Sequence, residues 1–232
     1  MTTHVRRTSS GTTADPAAPA DAPALRSDAA RNRASILRAA GQAFGEGGTE
    51  VGVEEIAQRA GVGVGTLYRR FPTKESLIDA VVRELLGEVR DVARSALLEG
   101  AGTGFATFLR ASAELQVSHR GCLARLWNDP AHDPLREEIE SLIGALLDEA
   151  RTAGTVRSDV VYEDVVVLLW SIRGVVESTA SVAPDAWRSN IDMLLVAVRP
   201  DAPAPSHPPM TAGQLRAVLD ARPPAPVQAG RD

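Results

Sequence analysis

Residues Val53–Leu77 read VEEIAQRAGVGVGTLYRRFPTKESL, and the fold turns on them. Val53, Ile56, Ala57 and Ala60 recur at helical spacing until Gly61; Leu67 and Phe71 mark a second short helix that begins near Gly63 and ends at Pro72. Two short helices that cross steeply need a small residue at their contact, and Ala57 supplies it. Four positions later Gly61 stands where the chain must turn sharply, with a positive φ that glycine adopts without a Cβ penalty. Ile56, Ala60, Val62 and Leu67 then close a miniature core. That is the steric recipe of a helix-turn-helix. Upstream, Ile36, Leu37, Ala40 and Phe44 predict a supporting helix, closed by Gly45, Gly47 and Gly48.

Downstream the helical reading continues. Thr73 caps a long helix carrying Leu77, Ile78, Val81, Leu85 and Val89 to about Leu98. Further helices are expected near 104–118, 121–128, 134–153, 160–182 and 185–198, punctuated by Gly102, Gly104, Pro130, Pro134, Gly154 and Pro184. Strand-type alternation is nearly absent, so the expected class is all-α. Residues 1–27, rich in Ala, Pro, Thr and Ser, are expected to be a disordered tail. A DNA-binding domain over 28–75 and a helical body over 76–199 follow. Residues 200–232 read as a mostly disordered tail, with a short helix over 211–221 opened by the capping pattern Thr211-Ala-Gly-Gln214.

Composition limits the alternatives. Of 232 residues, 44% are hydrophobic and 24% charged, enough to fold most of the chain. No apolar run approaches the ~20 residues of a membrane helix, and no secretory h-region is read at the start. The one cysteine, Cys122, excludes an internal disulfide and a cysteine-based zinc site, and a reduced cytoplasm is the expected compartment. The net charge of −5 is uneven: residues 1–75 carry ten Arg or Lys against eight Asp or Glu, the remainder 15 against 22. An acidic body with a slightly basic end suits approach to DNA by that end alone.

The stretch Gly65-Thr66-Leu67-Tyr68-Arg69-Arg70-Phe71-Pro72-Thr73-Lys74-Glu75-Ser76-Leu77 resembles the tetracycline-repressor (TetR) family almost residue for residue, within a likeness covering roughly 30–78. The segment GTVRSDVVYEDVVVLL, Gly154 to Leu169, more loosely resembles a C-terminal domain type of actinobacterial members. The resemblance implies a three-helix DNA-binding domain and a variable helical domain that dimerises and binds an effector. It also implies that Thr66, Tyr68 and Lys74 contact DNA. Two departures stand out. Gly52 and Gly63 replace the hydroxyl residues that often cap the second and the recognition helix, and Arg70 stands where histidine is frequent.

Physical reasoning assigns the same helix. A recognition helix enters the major groove by its N-terminus, which places Val64, Gly65 and Thr66 nearest the base edges. Val64 suits a thymine methyl, the Thr66 hydroxyl a base or phosphate, and Gly65 a close backbone approach. Tyr68 and Arg70 lie outside the Leu67/Phe71 stripe and should face phosphate, although Tyr68 could instead cover the miniature core. Thr73 and Lys74 open the next helix, whose N-terminal amides favour an anion. Arg69 is expected to be solvated or paired within the domain. Arg6 and Arg7 read as tail charge rather than a minor-groove arm.

For the body, Phe105, Phe108, Leu115, His119, Cys122, Leu126 and Trp127 are candidate lining for one wall of an effector pocket. Trp170, Arg173 and Glu177, which share a helical face, are candidates for another. The competing reading makes the aromatics core and Arg173–Glu177 an i,i+4 ion pair. Aromatic walls would favour a small apolar or amphipathic effector. The apolar run Val160–Leu169, with Val165 and Leu169, and the stripe Ile191, Leu194, Leu195 and Val198 are expected to form a homodimer interface, or else a monomer core. An effector that wedged the body would tilt the long helix from Thr73 and change the spacing of two recognition helices on double-stranded operator DNA, the expected mode of repression. Activation is the alternative.

Other classes fare worse. The sequence holds no GxSxG elbow, phosphate-binding glycine loop or HExxH, so no enzyme is expected, and no cofactor. Cys122 with His119 lacks an orienting group, and His119 and His132 have no metal-ligand spacing. An architectural DNA protein would not need some 130 acidic and apolar residues after the DNA head.

Overall fold

The computed structural model describes residues 22–120 and 133–220, and among these every regular element is helical. The order is α1 (Ala22–Gly47), a 3-10 turn (Gly48–Glu50), α2 (Val53–Ala60), α3 (Val64–Arg70), α4 (Lys74–Leu97), α5 (Gly104–Ser118), α6 (Asp133–Thr152), α7 (Tyr162–Thr179), α8 (Ala186–Ala197) and α9 (Ala212–Asp220). The expected helix at 121–128 lies outside the described residues. The first helix begins at Ala22, so residues 22–27, assigned from composition to the tail, are helical backbone here. That stretch is Ala- and Leu-containing, and once the chain downstream is helical each added residue costs little to propagate.

The N-terminal three helices build the head. Ile36, Leu37, Ala40 and Phe44 of α1 are buried and meet Val53, Ile56, Ala57, Leu67 and Phe71. Between α2 and α3, Gly61 takes φ 69° and ψ 27°. Its own N–H reaches the Gln58 carbonyl at 3.1 Å and the next N–H, of Val62, reaches Ala57 at 3.0 Å. Carbonyls left open at the end of α2 are thereby satisfied, and a Cβ at this φ would be strained. The helix-turn-helix read from Ala57 and Gly61 is present.

Helix α4 joins head to body. Its N-terminus is held by a reciprocal cap: Ser76 N–H donates to Thr73 Oγ1 at 3.0 Å, and Thr73 N–H donates to Ser76 Oγ at 3.2 Å. Leu77, Ile78, Val81, Val82, Leu85, Leu86 and Val89 bury one long face, against α1 near the start and α5 and α6 further on. A Cβ on Gly104 would lie 2.2 Å from the Ala96 carbonyl oxygen, so only glycine lets α5 begin this close to α4.

Helices α7 and α8 pack on each other and on α5. Val165, Val166, Leu169, Ile172 and Val176 of α7 and Trp187 and Ile191 of α8 are buried inside the single chain. This corrects part of the expected dimer interface. Val165, Leu169 and Ile191 are 0%, 6% and 0% exposed in one chain, so the rival reading, monomer core, holds for all three. Leu194 and Leu195 are half-buried. Arg157 ties down the end of α8: its backbone N–H donates to Val198, and its guanidinium reaches the carbonyls of Ala197 and Pro203 and the Asp159 carboxylate. That contact holds the Asp159 carboxyl below its ordinary range. Beyond it, Thr211 and Gln214 cap α9 reciprocally, and Leu215 is its buried side chain.

Candidate nucleic-acid interface

The tip of the head is built from α3 and the first turn of α4. Of the seven residues of α3 only Leu67 is buried, at 1% exposure; Tyr68 is 43% exposed, and Arg69 and Arg70 are exposed. Leu67 is pinned between α1 and α2, and Phe71, which closes the helix, is buried beside α1 with the Arg33 guanidinium 5.7 Å from its ring centre. Those two anchors leave the opposite face free. Val64 and Thr66 are half-buried, and Gly63 and Gly65 stand in open space on the same exposed first turn.

No side chain caps α3. Gly63 sits in extended conformation ahead of it, its carbonyl accepting from Thr66 and Leu67 N–H at 2.9 and 3.1 Å. The first-turn amides of Val64 and Gly65 have no side-chain acceptor, an arrangement that suits an anion. Thr73 spends its hydroxyl oxygen as an acceptor in the α4 cap, and its side chain is exposed. Lys74 follows in the first turn of α4.

Charge pairing separates this tip from the rest of the head. Arg59 on α2 is held by two carboxylates, Glu46 at 2.7 Å and Glu55 at 2.6 Å, which raise its guanidinium further above its ordinary range. Arg69, Arg70 and Lys74 have no carboxylate partner among the described residues. Unpaired cations beside exposed helix amides are the groups a phosphate backbone can neutralise.

An arrangement of this kind on a three-helix head has many relatives. A TetR transcription regulatory protein from Mycobacterium vanbaalenii is 33% identical to this chain, over 75% of this chain and 99% of that one, with a TM-score of 0.58. The chain belongs to the TetR family. The family described as bacterial regulatory proteins, tetR family, matches residues 36–81, the helices just described. The C-terminal domain described as transcriptional regulator SbtR-like matches residues 100–199. A TetR transcriptional regulator from Streptomyces coelicolor is 30% identical over 73% of this chain and 99% of its own, again with a TM-score of 0.58. No curated protein matches the chain. TetR-family proteins are DNA-binding transcriptional regulators, generally repressors, and these relatives are regulators rather than enzymes. Among the described residues no helix is long and apolar enough to cross a membrane.

Of the body residues expected to line one wall of an effector pocket, Phe105 and His119 border different cavities. Phe108 is fully buried core. Phe105, 2% exposed, borders a groove of about 350 Å³ with Ala106, Arg110, Val156, Leu195 and Val196. His119, at the other end of α5, borders a different cavity, against α1 and α4. Arg173 and Glu177 pair with each other at 2.7 Å, as the simpler reading had it, and Trp170 is half-buried on the same helix. Cys122, Leu126, Trp127 and His132 lie outside the described residues.

Two features were not resolved by the sequence: which apolar residues of the run Val160–Leu169 and of α8 face outward, and the groove at Phe105. The outward apolar residues of α7 and α8 are Val167, Met193 and Val196, at 41%, 61% and 58% exposure. Beside Val167, the exposed Ser171 and Gly174 continue the same face of α7, and nothing lies within 4 Å of a Cβ built on Gly174. The signal was present: a valine followed by small residues at i+4 and i+7 in an otherwise apolar helix marks a face left for another helix. The groove at Phe105 gave no such signal, because it joins α5 to the distant α8.

Proposed function

We propose that this TetR-family chain represses transcription as a homodimer on double-stranded operator DNA and is released by a small amphipathic effector bound in its body. The observation that carries the reading is the end of the head, where α3 and the first turn of α4 carry exposed Tyr68 and, without a carboxylate partner among the described residues, Arg70 and Lys74. Val64, Gly65 and Thr66 meet the base edges, and Tyr68, Arg70, Thr73 and Lys74 hold the phosphates on either side.

Pairing two such heads requires a second chain. Val167, Ser171 and Gly174 of α7 with Met193 and Val196 of α8 form the contact, and the small side chains let the two copies of α7 approach closely. Half-buried Leu194 and Leu195 flank this face, and with Val167 of the apolar run they remain from the interface expected from sequence.

The effector reading has support of its own. Buried side-chain oxygens of Ser112, Gln116 and Asn190 have no hydrogen-bond partner among the described residues. Polar atoms of this kind amid an apolar core suit a ligand that is mostly apolar and carries a few hydrogen-bonding groups. The groove at Phe105, crossed by the Arg110–Asp192 ion pair at 2.8 Å, gives such a ligand a route between α5 and α8. The test is footprinting of the purified protein on genomic DNA, followed by a search for small molecules that release the bound fragment. Uniform binding to all sequences, with a steep salt dependence and no footprint, would reject the regulator reading.

A further inference from the structure

The cavity bordered by His119 lies at the joint between head and body: α1 belongs to the head, α5 to the body, and α4 to both. It holds about 310 Å³, near the lower end of ordinary small-molecule sites. We propose that it is a second binding site, separate from the groove at Phe105, for a small primary ammonium ion with an apolar stem.

Three acceptors point to that chemistry. The Nδ1 atom of His119 lies 3.1 Å from the Leu115 carbonyl oxygen. A carbonyl only accepts, so in the neutral ring Nδ1 carries the hydrogen and Nε2 is the bare acceptor. Nε2 faces α1 at Gly41, where a Cβ would sit 3.8 Å away in ordinary contact. Alanine would fit at Gly41, and its absence leaves a methyl-sized space at the imidazole nitrogen. Glu84 and Glu88, one turn apart on α4, border the same cavity. Neither carboxylate has a cationic partner among the described residues, unlike Glu46, Glu55, Glu138 and Glu177, each held by an arginine.

Leu37 and Val81, both buried, supply the apolar floor. Arg38 stands on the rim, exposed and able to turn its guanidinium to water on its long stem. Two carboxylates, Glu84 and Glu88, against the one guanidinium of Arg38 leave an excess of one negative charge, which a single ammonium balances.

Occupancy would reach the DNA head, and this half of the proposal rests on the DNA-binding reading above. The end of α5 is clasped to α1: Arg120 donates to the Gly45 carbonyl, and the Ser118 carbonyl oxygen lies 2.9 Å from where a Gly45 Cβ would be. An ion seated between α1 and α4 beside this clasp favours one angle of head to body over others, and so changes the spacing of paired recognition helices.

The probe is n-hexylammonium chloride, titrated calorimetrically into the full-length protein at fixed ionic strength, with sodium chloride as the blank. Saturable binding is expected, weakened roughly tenfold or more in Glu84→Gln/Glu88→Gln, isosteric substitutions at one exposed and one half-buried position outside the core. Operator affinity of the parent, but not of the double variant, should change with the ion. No saturable binding, or equal binding by the double variant, overturns the site; binding that leaves operator affinity unmoved overturns the coupling. A parent protein that fails to footprint any DNA indicts the DNA-binding reading instead, because the titration is read without DNA.

Discussion

Replacing Gly65 by alanine separates what the protein needs from what its DNA needs. Gly61 and Gly65 flank the turn into α3, but only Gly61 has positive φ. Gly65 is a helical residue, and a Cβ there meets nothing within 4 Å. Inside the free protein, then, alanine is the better residue. A glycine in a helix interior costs about 1 kcal/mol relative to alanine, and in a first turn about half of that. Gly65→Ala should therefore raise the melting temperature by about 1–2 °C for a chain of this size. On DNA the sign reverses. If the backbone at Gly65 lies against base edges, the methyl must displace it, a loss of about 1.5 kcal/mol in each half-site, comparable to a mismatched base pair. For a dimer that is about 3 kcal/mol, on the order of a hundredfold in Kd. Differential scanning calorimetry reads the first effect, and fluorescence anisotropy with an operator duplex at constant salt reads the second. Gly144→Ala, on α6 with nothing within 4 Å of its Cβ, is the control: stabilised and undiminished on DNA. A Gly65→Ala protein that bound its operator as tightly as the parent would refute the close approach, and one that melted lower would refute the premise that the free chain does not need glycine there.

Lys74→Ala should leave the fold intact, weaken operator binding and reduce the slope of log affinity against log salt by about 2 for a dimer, one phosphate contact per half-site; an unchanged slope would remove Lys74 from the interface. Val167→Glu with Met193→Glu places charges on the outward face of α7 and α8 and should shift the protein toward monomer in sedimentation velocity, without lowering the helix content. Val165→Arg, by contrast, buries an unpaired charge where the native side chain is 0% exposed; its expected outcome is loss of folding, about 3–5 kcal/mol, rather than a folded monomer. Thr73→Ala removes the acceptor for Ser76 N–H and should cost about 1 kcal/mol in a urea titration.

The all-α class and the helix-turn-helix were legible in the sequence because each is decided within a few turns of chain. Gly61 specifies its own φ, Ala57 and Leu67 specify a contact ten residues apart, and the spacing of Leu67 and Phe71 leaves Tyr68 and Arg70 on the other side. Periodicity states which side chains leave water; it does not state whether the same chain or a second copy covers them. Val165 and Ile191 therefore read equally well as interface or core, and only the packing of α7 and α8 against α5 put them inside and left Val167 and Met193 out. The cavities lie a step further from the sequence. Phe105 meets Leu195 and His119 meets Gly41 only after helices far apart in the chain have docked, so the chemistry of those sites was decided by tertiary structure alone.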